Sequence, residues 1–384
     1  DRAEMFTSYL RFSLKSRCCL GSTAIDAKKF GRTATTGANM RDQLAGIMLA
    51  SGLAAPAFGL ASDLLTRAQQ TFEPIPSRAP EVSDISLSED RVELGRMLFF
   101  DPRLSASGVI SCHTCHNLST GGDDNLPTSV GNLWKRAKRN APTVFNAVFN
   151  KAQFWDGRAA DLKTQAKGPI QGGVSMANKP EFLVATLKSM PEYGERFARA
   201  FPGEADTVSF ENAVSALETF EATLITPGAS FDRFLGGDET ALSDQEKRGL
   251  TLFMERGCAA CHSGINLGGQ EYYPFGLAEQ PDADILPPED KGRYKITKTA
   301  SDEYVFRAAP LRNVALTAPY FHSGQVWNLK EAVSIMGTAQ LGTELTDPES
   351  EDITAFLRTL TGQPPRIEYP ILPVETQDTP RPRL

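Results

Sequence analysis

Two pentapeptides, Cys112-His113-Thr114-Cys115-His116 and Cys258-Ala259-Ala260-Cys261-His262, constrain this chain more than any other feature. Each reads C-x-x-C-H, the signature of covalent c-type haem attachment. Two thiols two residues apart on one turn reach both vinyl groups of one porphyrin, and the following His is held under the iron as proximal ligand. Two haem c groups are expected, attached through Cys112, Cys115, Cys258 and Cys261 and ligated by His116 and His262. Zinc is the rival metal, but it needs further tetrahedral partners, and the only other cysteines are Cys18 and Cys19 near the start. A thioredoxin-like redox pair would need a βαβ pattern that the sequence lacks.

Composition narrows the class. Six Cys in 384 residues are too few for a disulfide scaffold. With 41% hydrophobic and 23% charged residues the chain has globular rather than disordered composition. Forty Lys+Arg against forty-seven Asp+Glu give −7, which excludes a nucleic-acid partner held by bulk positive charge. Residues 40–61 carry an apolar run ending in Gly59-Leu60-Ala61, a small-x-small cleavage pattern, so residues 1–61 read as a leader with a signal peptide. The alternative, a short buried helix, is interrupted by Pro56. Without the leader the charge is thirty-two against forty-three, or −11. No later run of 18 apolar residues suggests a membrane span.

An internal repeat supports two haem domains. Gly95-Arg96-Met97-Leu98-Phe99 precedes the first motif and Gly249-Leu250-Thr251-Leu252-Phe253 precedes the second. Each motif is followed later by an amphipathic segment: Val214, Leu217, Phe220 and Leu224, then Ile353, Phe356, Leu357 and Leu360 after the Asp347-Pro348 start signal. A helix, a haem loop and a closing helix, repeated once, predict a mainly α fold of two cytochrome c-like haem domains, 62–225 and 226–384. Pro, Gly and Asn punctuate 117–180 and 263–328, which read as long structured loops.

Four His make the sixth ligands a short question. His113 is trapped in its own attachment loop and is expected at the surface. That leaves His322, a Met, or nothing. Met336, flanked by small residues beyond the second motif, stands where a cytochrome c supplies its thioether, although a Met in an apolar segment also serves as plain core.

Residues 62–384 resemble the bacterial dihaem cytochrome c peroxidases. The likeness rests on Leu98-Phe99-Phe100-Asp101-Pro102-Arg103-Leu104-Ser105, Phe154-Trp155-Asp156-Gly157-Arg158, Arg312-Asn313-Val314-Ala315-Leu316-Thr317-Ala318-Pro319-Tyr320-Phe321-His322 and the Met336 segment. It implies a high-potential, electron-accepting haem in the second domain, ligated by His262 and Met336, and a low-potential haem in the first where hydrogen peroxide is reduced. Trp155 matches the tryptophan bridging the haems. Asn140, Thr317 and Pro319 match residues around an interdomain calcium ion, Gln165 matches a peroxide-pocket glutamine, and His322 matches a histidine near the inter-domain haem edge, where hydrogen bonding that organises the interface is expected ahead of catalysis. The signal-like segment and c-type haem attachment, which in bacteria occurs outside the cytoplasmic membrane, lead to an expected periplasmic location. The likeness further implies a calcium-dependent homodimer, and the peroxidase reading a small cytochrome c or cupredoxin as electron donor.

Two positions depart from the family pattern. The loop that carries a capping His in the family reads Gly131-Asn132-Leu133-Trp134 here, and Ser175 stands where the family places an acid–base Glu. Glu181 is six residues further on. With Asn132 in place of imidazole, peroxide access is expected without reductive activation. With Ser175 in place of carboxylate, proton transfer is expected to be slower, since general acid–base help is worth about 10²–10⁴-fold. Lys135, Arg136, Lys138 and Arg139 make this loop basic: a solvated face, a partner for haem propionates, or, through Lys135, a replacement ligand. Two other functions are weighed beside the peroxidase: an electron-transfer cytochrome with impaired turnover, and MauG-like oxidation of a protein substrate. The latter group replaces the Met by Tyr, whereas Met336 is retained.

Overall fold

The computed structural model describes residues 58–82 and 87–383. All but the last four residues of the expected leader lie outside them, and those four open the first helix. In chain order the helices are α1 Phe58–Thr71, α2 Glu89–Phe100, α3 Cys112–Cys115, α4 Leu162–Gln171, α5 Pro180–Lys188, α6 Pro191–Ala200 and α7 Phe210–Ala222. They continue with α8 Ser230–Leu235, α9 Asp244–Glu255, α10 Tyr294–Thr297, α11 Leu329–Leu341 and α12 Asp347–Arg358. Two short strands, β1 Tyr272–Pro274 and β2 Val305–Arg307, pair antiparallel with Tyr273 opposite Phe306. The fold is mainly α, as the motif repeat predicts.

The repeat has a steric basis. In the first half α2 crosses α7, and a Cβ on Gly95 would stand 2.0 Å from the Ala216 carbonyl. In the second half α9 crosses α12, and a Cβ on Gly249 would stand 1.9 Å from the Asp352 carbonyl. Each helix pair therefore approaches backbone to backbone, which only glycine permits. Around the first crossing Leu94, Leu98, Phe99, Val214, Leu217 and Phe220 are buried. Around the second, Leu250, Phe253, Ile353, Phe356 and Leu357 do the same. Each such side chain contributes about 1.5–3 kcal/mol. Caps set the starts: Ser88 accepts from the Arg91 amide before α2, and Ser243–Glu246 and Thr346–Glu349 form capping boxes before α9 and α12.

The chain ends cross between the two cores. Leu64 and Ala68 of α1, with Phe72 just after it, join Phe231, Phe234 and Phe253 in the second core. After α12 the chain returns to the first. Arg103 donates to the Pro373 carbonyl at 2.7 Å, and the Arg383 amide donates to the Ala106 carbonyl at 2.7 Å.

The segments read as loops are only partly so. Residues 117–180 contain α4, started by Asp161 accepting from the Thr164 amide at 2.6 Å. Pro169 near its end hides the helix in the sequence. Residues 263–328 contain the strand pair and α10. Among the described residues no helix is long and apolar enough to cross a membrane.

Candidate haem sites and the cavity between them

The second motif opens on a cavity of about 230 Å³ lined by Cys258, Cys261, His262, Phe253 and Met336. His262 is 8% exposed, and its Nδ1 lies 3.1 Å from the Leu267 carbonyl. With the Nδ1 proton donated there, Nε2 is the nitrogen left to bind a metal. Burial lowers the His262 pKa against the opposing carbonyls of Leu267 and Ala309, so the imidazole is neutral, as a ligand must be. Met336, presented by α11, faces the same cavity. Arg307 lines it too. Burial lowers the Arg307 guanidinium to about 10, and its Nη1 has no hydrogen-bond partner. Its Nε donates to the Phe154 carbonyl at 3.3 Å, so Nη1 is the end left over, and a buried cation with an unused donor in a mostly apolar, thiol-edged cavity suits a porphyrin carboxylate. The residues present thus fit a covalently held haem.

At the first motif, α3 carries Cys112 against the first core. Burial lowers the His116 pKa, and its Nδ1 is buried without a hydrogen-bond partner. His113 is not the plain surface residue expected. It is half-buried, 4.6 Å from the Phe100 ring and 5.8 Å from that of Tyr369 in the returning tail. The tail contact made the difference, and it is invisible in local sequence. Behind Cys112, burial and the neighbouring Glu218 push the Glu221 carboxyl up to about 8. Sequence reading missed this acid pair, whose only signal is two Glu inside the apolar face of α7.

The loop at Asn132 is tied down. The Asn132 amide donates to the carbonyls of both Val174 and Ser175 at 2.8 Å, which brings these two departures from the family pattern together. Asn132 is 9% exposed and its Oδ1 lacks a partner. Leu133 and Trp134 take left-handed backbone at φ 55° and 60° and are exposed. Gln165 is half-buried on α4 and Ser175 is half-buried in the turn after it, whereas Glu181 is exposed in the first turn of α5. Lys135, Arg136 and Lys138 are exposed. Arg139 is not part of that solvated face: it bonds Asp290 at 2.6 and 2.7 Å and Asp156 at 2.6 Å. Against burial, which would raise it, the hydrogen bonds and charge of Arg139 hold the Asp290 carboxyl well below the usual carboxylate range.

Trp155 lines the cavity of the second motif and donates its Nε1–H to the Asn140 carbonyl at 3.0 Å. His322, 3% exposed, stacks on Phe306 at 4.2 Å and stands 6.2 Å from Trp155. Burial lowers its pKa to about 4, with Asp290 opposing and Arg139 and Lys295 assisting. Its carbonyl accepts from the Asn140 amide at 2.8 Å, so the interface bond expected at His322 is made by backbone. Asn140 Nδ2 donates to the Leu126 carbonyl at 3.0 Å, which leaves Oδ1 as the free end of that amide. Asn125 Nδ2 donates to the carbonyls of Leu316 and Ala318. Among the described residues no hydrogen bond ends on the carbonyls of Thr317 or Pro319. Three oxygens without donors at one interface fit a hard cation.

Comparison with known proteins agrees with this geometry. The family model described as di-haem cytochrome c peroxidase matches residues 89–240, and that for cytochrome c matches 246–361. A cytochrome c551 peroxidase of Pseudomonas aeruginosa is 60% identical over 84% of this chain and 93% of its own length. The chain belongs to the di-haem cytochrome c peroxidase family. Its family membership makes it an enzyme of the cytochrome c peroxidase class carrying haem c. It is also 46% identical to a cytochrome c551 peroxidase of Nitrosomonas europaea, over 82% of this chain and 91% of that one. A MauG of Methylorubrum extorquens is 35% identical, over 78% of this chain and 86% of that protein. Among solved structures, a MauG-like protein associated with microbial copper homeostasis superposes with a TM-score of 0.67 at 29% identity, covering 75% of this chain and 93% of its own.

Proposed function

We propose that this dihaem peroxidase reduces hydrogen peroxide to water in the periplasm, with electrons from a small cytochrome c or cupredoxin. The haems supply the iron chemistry of peroxide cleavage and electron acceptance. Each turnover takes two electrons and two protons and releases two waters. In this reading residues 62–225 carry the peroxide site and residues 226–384 receive electrons. His116 and His262 are the proximal ligands, and Met336 completes the second site. Trp155, in the wall of the cavity at the second motif, bridges the two sites. Asn140, Thr317 and Pro319 hold a calcium ion, and the protein is a homodimer.

The single observation that carries the finer proposal is the Asn132 loop. No imidazole stands there, and the Asn132 amide is bonded to the turn containing Ser175. Peroxide therefore reaches the first site without waiting for a side chain to leave, so reductive activation is unnecessary. Gln165, Asn132 and Ser175 offer hydrogen bonds to peroxide but no carboxylate; proton transfer falls to water or to a rearranged Glu181. Steady-state peroxide turnover with a reduced cytochrome donor, begun from fully oxidised protein, tests this. Turnover without a lag supports the proposal. A lag abolished by pre-reduction refutes the open site, and a rate no better than free haem leaves the electron-transfer reading.

A further inference from the structure

We infer that Asp123 supplies the charged oxygen of the cation site at Asn140, Thr317 and Pro319; this rests on the calcium reading above. The three oxygens assigned to that site are all neutral, one amide and two backbone carbonyls. Calcium sites are tuned in affinity by the number of charged ligands, so a wholly neutral set is weak. Asp123 lines the same cavity as Asn140, Thr317 and Pro319. It is 1% exposed, and its Oδ2 is buried with no hydrogen-bond partner.

The neighbouring bonds bring this carboxylate to the site. Asp123 Oδ1 accepts from the Asn125 amide at 3.3 Å, and Asn125 Nδ2 reaches the Leu316 and Ala318 carbonyls at 3.0 and 2.9 Å. One short segment thus ties Asp123 to the backbone that presents Thr317 and Pro319. Asp123 is also close enough to Tyr320 for its charge to act on that phenol. No Lys, Arg or His forms an ion pair with Asp123 among the described residues. An unpaired buried carboxylate is costly unless a cation or a proton neutralises it. A divalent cation neutralises it, gains a charged ligand and accepts the unused lone pairs of Oδ2.

The test is calcium titration by calorimetry on chelator-treated, haem-loaded protein, for the wild type, Asp123→Asn and Asn140→Ala, with thermal unfolding of each in chelator and in calcium. We expect Asp123→Asn to bind calcium at least tenfold more weakly, while its calcium-free form unfolds no earlier than the calcium-free wild type. Asp123→Ser serves as a second neutral variant if Asp123→Asn fails to fold. Equal affinity in wild type and Asp123→Asn, with binding lost in Asn140→Ala, overturns the inference and keeps the calcium reading. A wild type that takes up no calcium overturns both. Equal loss of stability with and without calcium marks a merely structural carboxylate and also overturns the inference.

Discussion

Replacing Arg312 by Met removes the most deeply embedded cation of the second domain. Arg312 is 2% exposed. Its Nη1 stands 2.7 Å from Asp232, its Nε donates to the Ile265 carbonyl at 2.9 Å, and its Nη2 donates to the Glu73 carbonyl at 2.8 Å. Met fills most of the volume, so the loss is electrostatic. Asp232, itself buried, keeps only the amides of Ile75 and Ala229. Stranding one member of a buried pair costs about 3–5 kcal/mol. At about 2.1 cal/mol/K per residue for some 330 folded residues, that lowers Tm by roughly 4–7 °C. Ile265 lies two residues before Leu267, whose carbonyl orients His262, so the absorption spectrum of the second haem should shift as well. Differential scanning calorimetry of wild type, Arg312→Met, Asp232→Asn and the double variant measures the coupling. A fall below about 1 °C in Arg312→Met, or a double variant as unstable as the sum of the singles, would refute the reasoning.

Three further outcomes follow from the sites. Asn132→His places an imidazole at a 9% exposed position, and the oxidised protein should gain low-spin absorption and a turnover lag that pre-reduction removes. Ser175→Glu should raise kcat by about 10²–10⁴-fold if proton transfer limits the rate, measured by steady-state turnover. His322, with a pKa near 4 in the fold against about 6.5 unfolded, stays neutral while the unfolded chain takes up a proton. Its stabilising contribution is therefore whole above about pH 6.5 and is lost as pH falls toward 4. Urea unfolding at pH 7.5 and pH 5 should show a drop about 2 kcal/mol smaller in His322→Phe than in the wild type.

Much of this protein is determined by short stretches of sequence. Haem attachment is local chemistry, since five contiguous residues place both thiols and the proximal imidazole, and the motifs at 112–116 and 258–262 are legible without a fold. The helix pairs around them are legible for the same reason: Gly95 and Gly249 stand at equal places in a repeated pattern, and each marks a backbone crossing. Local pattern fails where contacts come from far along the chain. Tyr369 covers His113 from 256 residues away, so His113 leaves the surface where its loop position put it. Arg139 looks like one more cation of a basic run, yet Asp290, 151 residues on, takes it inside. Burial is a property of the assembled molecule rather than of a segment. Only the tertiary structure could therefore decide that Asp123, Arg307 and Glu221 are buried acids and bases rather than solvated charges.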